Sequence, residues 1–90
     1  MFVAAIRHPV ADYDKWKAVF DSYPPTEGGA LFARVNRAVD EPNTVAVVAG
    51  FESLEKAQAF LGNPELKEKM GEAGVAGEPR IKIYEEVYSI

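Results

Sequence analysis

A few side chains of this sequence have the chemistry to act on a ligand, and His8 is the first of them. It is the only histidine in 90 residues, so no other side chain titrates near neutral pH in its unperturbed state. It lies between Arg7 and Pro9 at the end of an apolar segment. His8 could therefore be a general acid or base at the mouth of a pocket, or an ordinary strand-end histidine, and the sequence leaves both interpretations open.

Four further residues are candidate ligand-binding residues. Arg34 and Asn36 lie two positions apart, so on a strand they share one face and could orient an anionic or carbonyl ligand. The alternative is that they only keep an edge strand polar. Trp16 could wall an aromatic pocket or fill the helix–sheet core. Tyr84 could donate a hydrogen bond to a ligand or pack at a dimer interface.

Composition excludes several classes of function. Because the chain has no cysteine, it has no thiolate nucleophile and no sulfur-ligated metal, and we expect a cytoplasmic protein. No cluster of His, Asp and Glu has metal-ligand spacing, and no phosphate-binding or dinucleotide motif is present, so we expect neither a metal nor a cofactor. The net charge of −4 argues against nucleic acid as a partner. No segment is apolar enough for a membrane span.

The pattern of apolar residues predicts four strands of two kinds. The segments 2–8 and 43–51 are apolar at both odd and even positions, which is typical of central strands covered on both faces. The segments 30–39 and 80–89 carry charged residues on one side, which indicates edge strands.

Capping residues predict three helices between these strands. Asp12, Ser53 and Asn63 are suitable N-caps, and Pro64 suits the first position of the third helix. We expect Gly62 to end the second helix in a left-handed conformation, and residues 26–29 to form a flexible connector. The buried face of the second helix is predicted to consist of Leu54, Ala57, Phe60 and Leu61.

This order of elements predicts one α+β domain over residues 1–90. Strand, helix, strand, strand, helix, strand is the ferredoxin-like βαββαβ plan, a four-stranded antiparallel sheet of order 4-1-3-2 with the helices on one face. The other face of two doubly apolar strands would be a bare apolar surface, which is unusual on a monomer. We therefore predict a homodimer in which two such faces pack together.

Several segments resemble the dimeric α+β barrel superfamily, in particular its antibiotic-biosynthesis-monooxygenase-like and stress-responsive small proteins. They are residues 10–21, 42–51, 57–60, 64–70 and 73–75. The resemblance implies a homodimer whose two sheets form a barrel with the helices outside, and, in enzymatic members, a substrate between helices and sheet. The haem-degrading members carry a histidine ligand on the helical segment. Residues 54–70 contain no histidine, so the resemblance does not extend to haem.

Two classes of function follow. The first is a small homodimer of unassigned activity that binds a small apolar or aromatic metabolite. The second is a cofactor-independent monooxygenase or cyclase acting on an aromatic, polyketide-like substrate. It would need a polar group in an apolar cavity, for which His8, Arg34, Asn36 and Tyr84 are the candidates. An enclosed cavity that touches these residues would favour the enzyme.

Overall fold

The four strands form one antiparallel sheet, as the sequence predicts. The computed structural model describes residues 1–90. Its strands are β1 (Phe2–Pro9), β2 (Phe32–Arg37), β3 (Thr44–Phe51) and β4 (Arg80–Glu85). The spatial order is β2-β3-β1-β4, which is the predicted order 4-1-3-2 seen from the other edge. The two doubly apolar strands are therefore central and the two charged strands are edges.

Three α-helices cover one face of this sheet. They are α1 (Tyr13–Ser22), α2 (Leu54–Leu61) and α3 (Pro64–Glu72). Each begins at its predicted cap: the side chains of Asp12, Ser53 and Asn63 accept hydrogen bonds from backbone N–H groups of the first turn. These bonds satisfy donors that a helix start otherwise leaves unpaired. No helix is long and apolar enough to cross a membrane.

Alternation along the central strands decides which side chains face the helices. In β1, Ala4, Ile6 and His8 are buried under the helices. Their direct partners in β3 are Ala49, Val47 and Val45, which are also buried. Since neighbouring residues of a strand point to opposite faces, the side chains between them lie on the side that no helix covers. We call that side the outer sheet face.

Several local predictions were wrong. Residues 25–28 form a short 3₁₀ helix instead of a flexible connector. Leu54, the first residue of α2, lies a full turn before Ala57 at the periphery and is 40% exposed. Gly62 has a right-handed conformation, because the chain passes through it directly into the cap of α3 without reversing.

Both edge strands are shorter than predicted. β4 ends at Glu85, which pairs with Phe2, the first residue of β1, so no partner strand extends further. β2 ends at Arg37, and Val39 beyond it is fully exposed. Val39 and Val87, which were predicted within these strands, are therefore exposed residues beyond their ends.

Candidate functional site

A small apolar cavity lies between the sheet and the helices. Its volume is about 50 Å³, which is room for a few water molecules at most. Most of the lining is hydrophobic, with aromatic rings from α1 and α2. The lining residues are Ile6, His8, Trp16, Val19, Phe20, Tyr23, Pro25, Val47, Phe60, Leu66, Lys69, Met70 and Ala73. They come from every layer of the domain, so the fold as a whole positions this site.

His8 is a buried polar residue that lines the cavity from the side of the sheet. Its exposed fraction is 3%, and its Nδ1 atom is completely buried with no hydrogen-bond partner. A buried unpaired nitrogen destabilises a fold by an appreciable amount, so each case needs an explanation. Burial lowers the pKa of His8 below its ordinary value of 6.5, opposed in part by the backbone at Pro9 and at His8 itself. The imidazole is therefore neutral at physiological pH and can accept a proton or a hydrogen bond.

Aromatic rings of α1 form the wall next to His8. Trp16 is buried, and its indole ring stacks on the Phe20 ring with centroids 4.9 Å apart and planes at 25°. The same indole lies tilted against the His8 ring. The i, i+4 spacing on one helix brings the two rings together. Trp16 thus both fills the core and lines the cavity, two roles that the sequence presents as alternatives.

Lys69 is a cavity-lining residue that the sequence analysis missed. It belongs to a set of four residues that line the cavity, namely Leu66, Lys69 and Met70 of α3 and its C-cap residue Ala73. This set has the i, i+3, i+4, i+7 spacing of one buried helix face. A lysine within an otherwise apolar stripe was the signal that could have identified it.

The rim of the cavity joins the end of α1 to the start of α3. Tyr23, the C-cap of α1, lines the cavity, and its hydroxyl oxygen accepts a hydrogen bond from Asn63 Nδ2 at 3.5 Å. Asn63 also caps α3 through its side-chain oxygen. One residue therefore links the two helices that border the opening.

Three of the predicted site residues lie on the outer sheet face, away from the cavity. Arg34 and Asn36 pair with Val48 and Ala46 of β3, and Tyr84 pairs with Val3 of β1. Arg34, Asn36 and Tyr84 do share one face of the sheet. That face is opposite the one on which His8 lies and against which Trp16 of α1 packs. Asn36 Nδ2 donates to the Ala46 carbonyl oxygen at 3.3 Å, and the Arg34 guanidinium lies over the Phe32 ring at 4.3 Å. The five predicted residues therefore do not form one site.

The outer sheet face also gathers four positive charges. Arg7, Arg34, Arg80 and Lys82 all lie on it, and Arg7 is the direct cross-strand partner of Arg80. None of the four takes part in an ion pair. They come from three strands that are distant in sequence, so no stripe of basic residues is visible along the chain.

No part of the chain brings together a metal-binding group of three His, Cys, Asp or Glu side chains. The polar lining of the cavity consists instead of an imidazole, an ammonium and a phenol. These groups are suited to accepting a proton and to holding an anion or a hydroxyl group.

The chain is similar to known proteins in its structure, whereas comparisons of its sequence find no match. No protein-family profile and no curated protein sequence matches it. SnoaB, a cofactor-independent oxygenase from Streptomyces nogalater, superposes with a TM-score of 0.78 at 12% identity, over 99% of this chain and 95% of that one. A candidate antibiotic biosynthesis monooxygenase from Deinococcus radiodurans gives a TM-score of 0.77 at 13% identity, over 100% and 96% of the two chains. Another from Caulobacter crescentus gives 0.76 at 19% identity, over 97% and 90%.

These similarities show that the chain has the fold of the antibiotic-biosynthesis-monooxygenase-like proteins, the fold that the sequence resemblance implies. At such low identities the likeness concerns the fold alone. One fold supports unrelated activities, so function has to be argued from the site.

Proposed function

We propose that this protein binds a small aromatic molecule carrying a hydroxyl or carbonyl group in the cavity between its helices and its sheet. The proposal is supported by His8, which lines a cavity together with Trp16 and Phe20 and whose Nδ1 atom is buried without a hydrogen-bond partner. A ligand hydroxyl bonded to that nitrogen would offset the desolvation of the imidazole. An aromatic body would pack on the indole and phenyl rings.

The size of the cavity sets a condition on this proposal. About 50 Å³ does not hold an aromatic ring, since cavities that bind benzene have about 150 Å³. Binding therefore requires α1 and α3 to separate at the rim, where the bond between Tyr23 and Asn63 has a length of 3.5 Å. A bond at the long limit of hydrogen bonding opposes such a movement only weakly.

A pair of probes that differ by one hydroxyl group tests the proposal. 2-Naphthol and naphthalene are titrated into the wild type and His8→Phe, and amide and indole N–H resonances are followed by NMR. Trp16 is the only tryptophan, so its single indole signal reports occupancy of the cavity. We expect 2-naphthol to shift the signals of cavity-lining residues. In His8→Phe its affinity should fall by about tenfold, the value of one hydrogen bond to a buried group, while that of naphthalene stays unchanged. The absence of shifts, or shifts confined to the outer sheet face, would contradict the proposal.

Cofactor-independent oxygenation is a second candidate function. It is supported by a neutral base that faces an apolar cavity in a chain that shares the fold of SnoaB, itself described as a cofactor-independent oxygenase. His8 would accept the phenolic proton of a bound quinol, leaving an electron-rich anion. A ring carbon of this anion would then form a bond to dioxygen, and the resulting hydroperoxide, protonated by His8, would lose water. One oxygen atom would stay in the product, a hydroxyquinone, and the other would leave as water.

Oxygen uptake distinguishes binding from this reaction. The rate of oxygen consumption with a naphthoquinol is measured for the wild type, for His8→Phe and for buffer alone, because quinols also oxidise spontaneously. An oxygenase gives a rate above buffer that His8→Phe loses. Equal rates in all three samples would remove the enzymatic candidate and leave the binding function.

We also propose that the protein is a homodimer that packs through the outer sheet face. Val3, Ala5 and Val48 form the apolar middle of this face, and Tyr84 at its edge is 51% exposed. The four unpaired cations around this middle require carboxylates in such an interface. Glu86, the residue after the end of β4, has the parity of Tyr84, is exposed, and would provide such a carboxylate from the second copy.

Light scattering on the purified protein tests the dimer. A mass of twice 9.9 kDa at micromolar concentration is expected, and a stable monomer would contradict it. The organisation as a single domain over residues 1–90 and the cytoplasmic location stay predictions of the sequence. The first is tested by limited proteolysis and the second by cell fractionation.

A further inference from the structure

Two of the polar groups that line the cavity are basic, and none is acidic. The bases are His8 on the sheet and Lys69 on α3. A neutral hydroxyl ligand makes use of the imidazole alone and leaves the ammonium group of Lys69 without a role. The two basic groups of the lining therefore indicate a ligand that carries a negative charge, which the apolar walls alone do not indicate.

Lys69 lies at the boundary between cavity and solvent. Its side chain is 33% exposed, and its ammonium group is 3.4 Å from a carboxylate oxygen of Glu72, whose side chain is 53% exposed. An exposed i, i+3 pair of this kind contributes little. A second anion can therefore approach Lys69 without breaking a strong interaction.

From this arrangement we infer that the ligand is an aromatic acid, with its ring in the cavity and its carboxylate or ionised phenol held by Lys69 at the rim. This inference rests on the proposed function, since it specifies the ligand class of the same cavity. The anion stays partly solvated beside the ammonium, which avoids the desolvation of a fully buried charge. The ring enters the space lined by Trp16, Phe20 and Val47.

Position along α3 supports the assignment to Lys69 over its neighbour. Lys67 is on the same helix, but it is exposed and does not line the cavity. Lys69 lies one turn after Leu66 and next to Met70, on the face directed at the sheet. A long lysine side chain on this face packs its methylene groups on apolar neighbours and presents its charge at the rim.

Matched acids and amides test the inference by calorimetry. 2-Naphthoate is compared with 2-naphthamide, and benzoate with benzamide as a smaller pair, at pH 7.5 on the wild type and on Lys69→Gln, Lys69→Arg and Lys67→Gln. The wild type should bind each acid about tenfold more tightly than its amide, as a charge-assisted hydrogen bond predicts. Lys69→Gln should lose this preference, while Lys69→Arg and the control Lys67→Gln keep it.

The outcomes separate this inference from the proposed function. Binding of the amides without any preference for the acids leaves the cavity as an aromatic site and overturns the role of Lys69. A preference that survives in Lys69→Gln overturns it as well. If neither acids nor amides of either size bind while 2-naphthol still shifts the signals of the cavity-lining residues, the inference fails and the proposed function stands. If 2-naphthol does not bind either, both fail.

Discussion

The imidazole ring of His8 lies 5.9 Å from the indole ring of Trp16, measured between centroids, with the ring planes at 56°. The two residues come from β1 and α1, so this contact joins the central strand to the first helix. It also joins the buried base of the cavity to its largest aromatic wall. Any ligand that reaches His8 therefore lies close to Trp16, so the indole signal of Trp16 should change when a ligand binds at His8.

Burial of His8 predicts a pH-dependent stability. The pKa of His8 in the folded protein is below 6.5, while in the unfolded chain it has its ordinary value. As pH falls through 6.5 the unfolded chain takes up a proton that the folded protein does not. The stability contributed by the neutral imidazole is therefore present above pH 6.5 and is lost as pH decreases, by up to about 1.4 kcal/mol per pH unit.

Urea unfolding between pH 5.5 and 7.5 measures this effect. The free energy of unfolding of the wild type should increase with pH over this range, and His8→Phe should remove most of the increase. Identical pH profiles for the two proteins would show that His8 titrates alike in the folded and unfolded states.

Two adjacent valines of β3 predict opposite consequences for the same substitution. Val47 lines the cavity and is buried, and Val48 lies on the outer sheet face. Val47→Asp places an unpaired carboxylate in the core and should reduce the free energy of unfolding by about 3–5 kcal/mol, enough to unfold a domain of this size. Val48→Asp should leave the fold intact and, if the proposed dimer packs through the outer sheet face, give a monomer.

Circular dichroism and light scattering of both variants check this pair. If Val48→Asp stays dimeric, the outer sheet face is not the interface. A folded Val47→Asp with native stability would contradict the burial of that side chain.

The cap of α1 predicts a smaller effect. Asp12 accepts from the backbone N–H groups of Asp14 at 2.9 Å and Lys15 at 3.4 Å. Asp12→Ala should decrease the free energy of unfolding by about 1 kcal/mol. Asp14→Ala, which removes only a favourable charge from the first turn, should cost less. Chemical denaturation of both variants gives the comparison, and equal losses would indicate that charge, not the cap bonds, stabilises the helix start.

Polarity patterns predicted the sheet because they reflect burial directly. Strands 2–8 and 43–51 are apolar on both faces, and only central positions can accommodate them. The helix N-caps were equally predictable, because Asp12, Ser53 and Asn63 each precede a helical segment. Strand ends were not predictable in this way. β4 stops at Glu85 because β1 begins at Phe2, so the limit is set by a partner strand at the opposite end of the chain.

The site was less predictable because it depends on which face each residue occupies. His8 and Trp16 were identified by residue type, and the structure brings them together. Arg34, Asn36 and Tyr84 were identified in the same way, but the register of the sheet places them on the outer face. Lys69 was overlooked because lysines on helices are usually solvated, and only its neighbours in the stripe show that it borders a cavity.

A larger side chain in the cavity should increase the stability of the protein and decrease its affinity for an aromatic ligand. Val19 lines the cavity and packs against the buried cluster that contains Trp16. Val19→Leu adds one methylene group to space that is already empty, so the free energy of unfolding should increase by about 0.8 kcal/mol. The affinity for 2-naphthol should decrease, because the ring and the added methylene compete for the same volume. Val39→Leu, at an exposed position outside the sheet, is the control and should change neither quantity. A Val19→Leu variant that is more stable and still binds 2-naphthol as the wild type does would show that the ligand occupies a different part of the molecule.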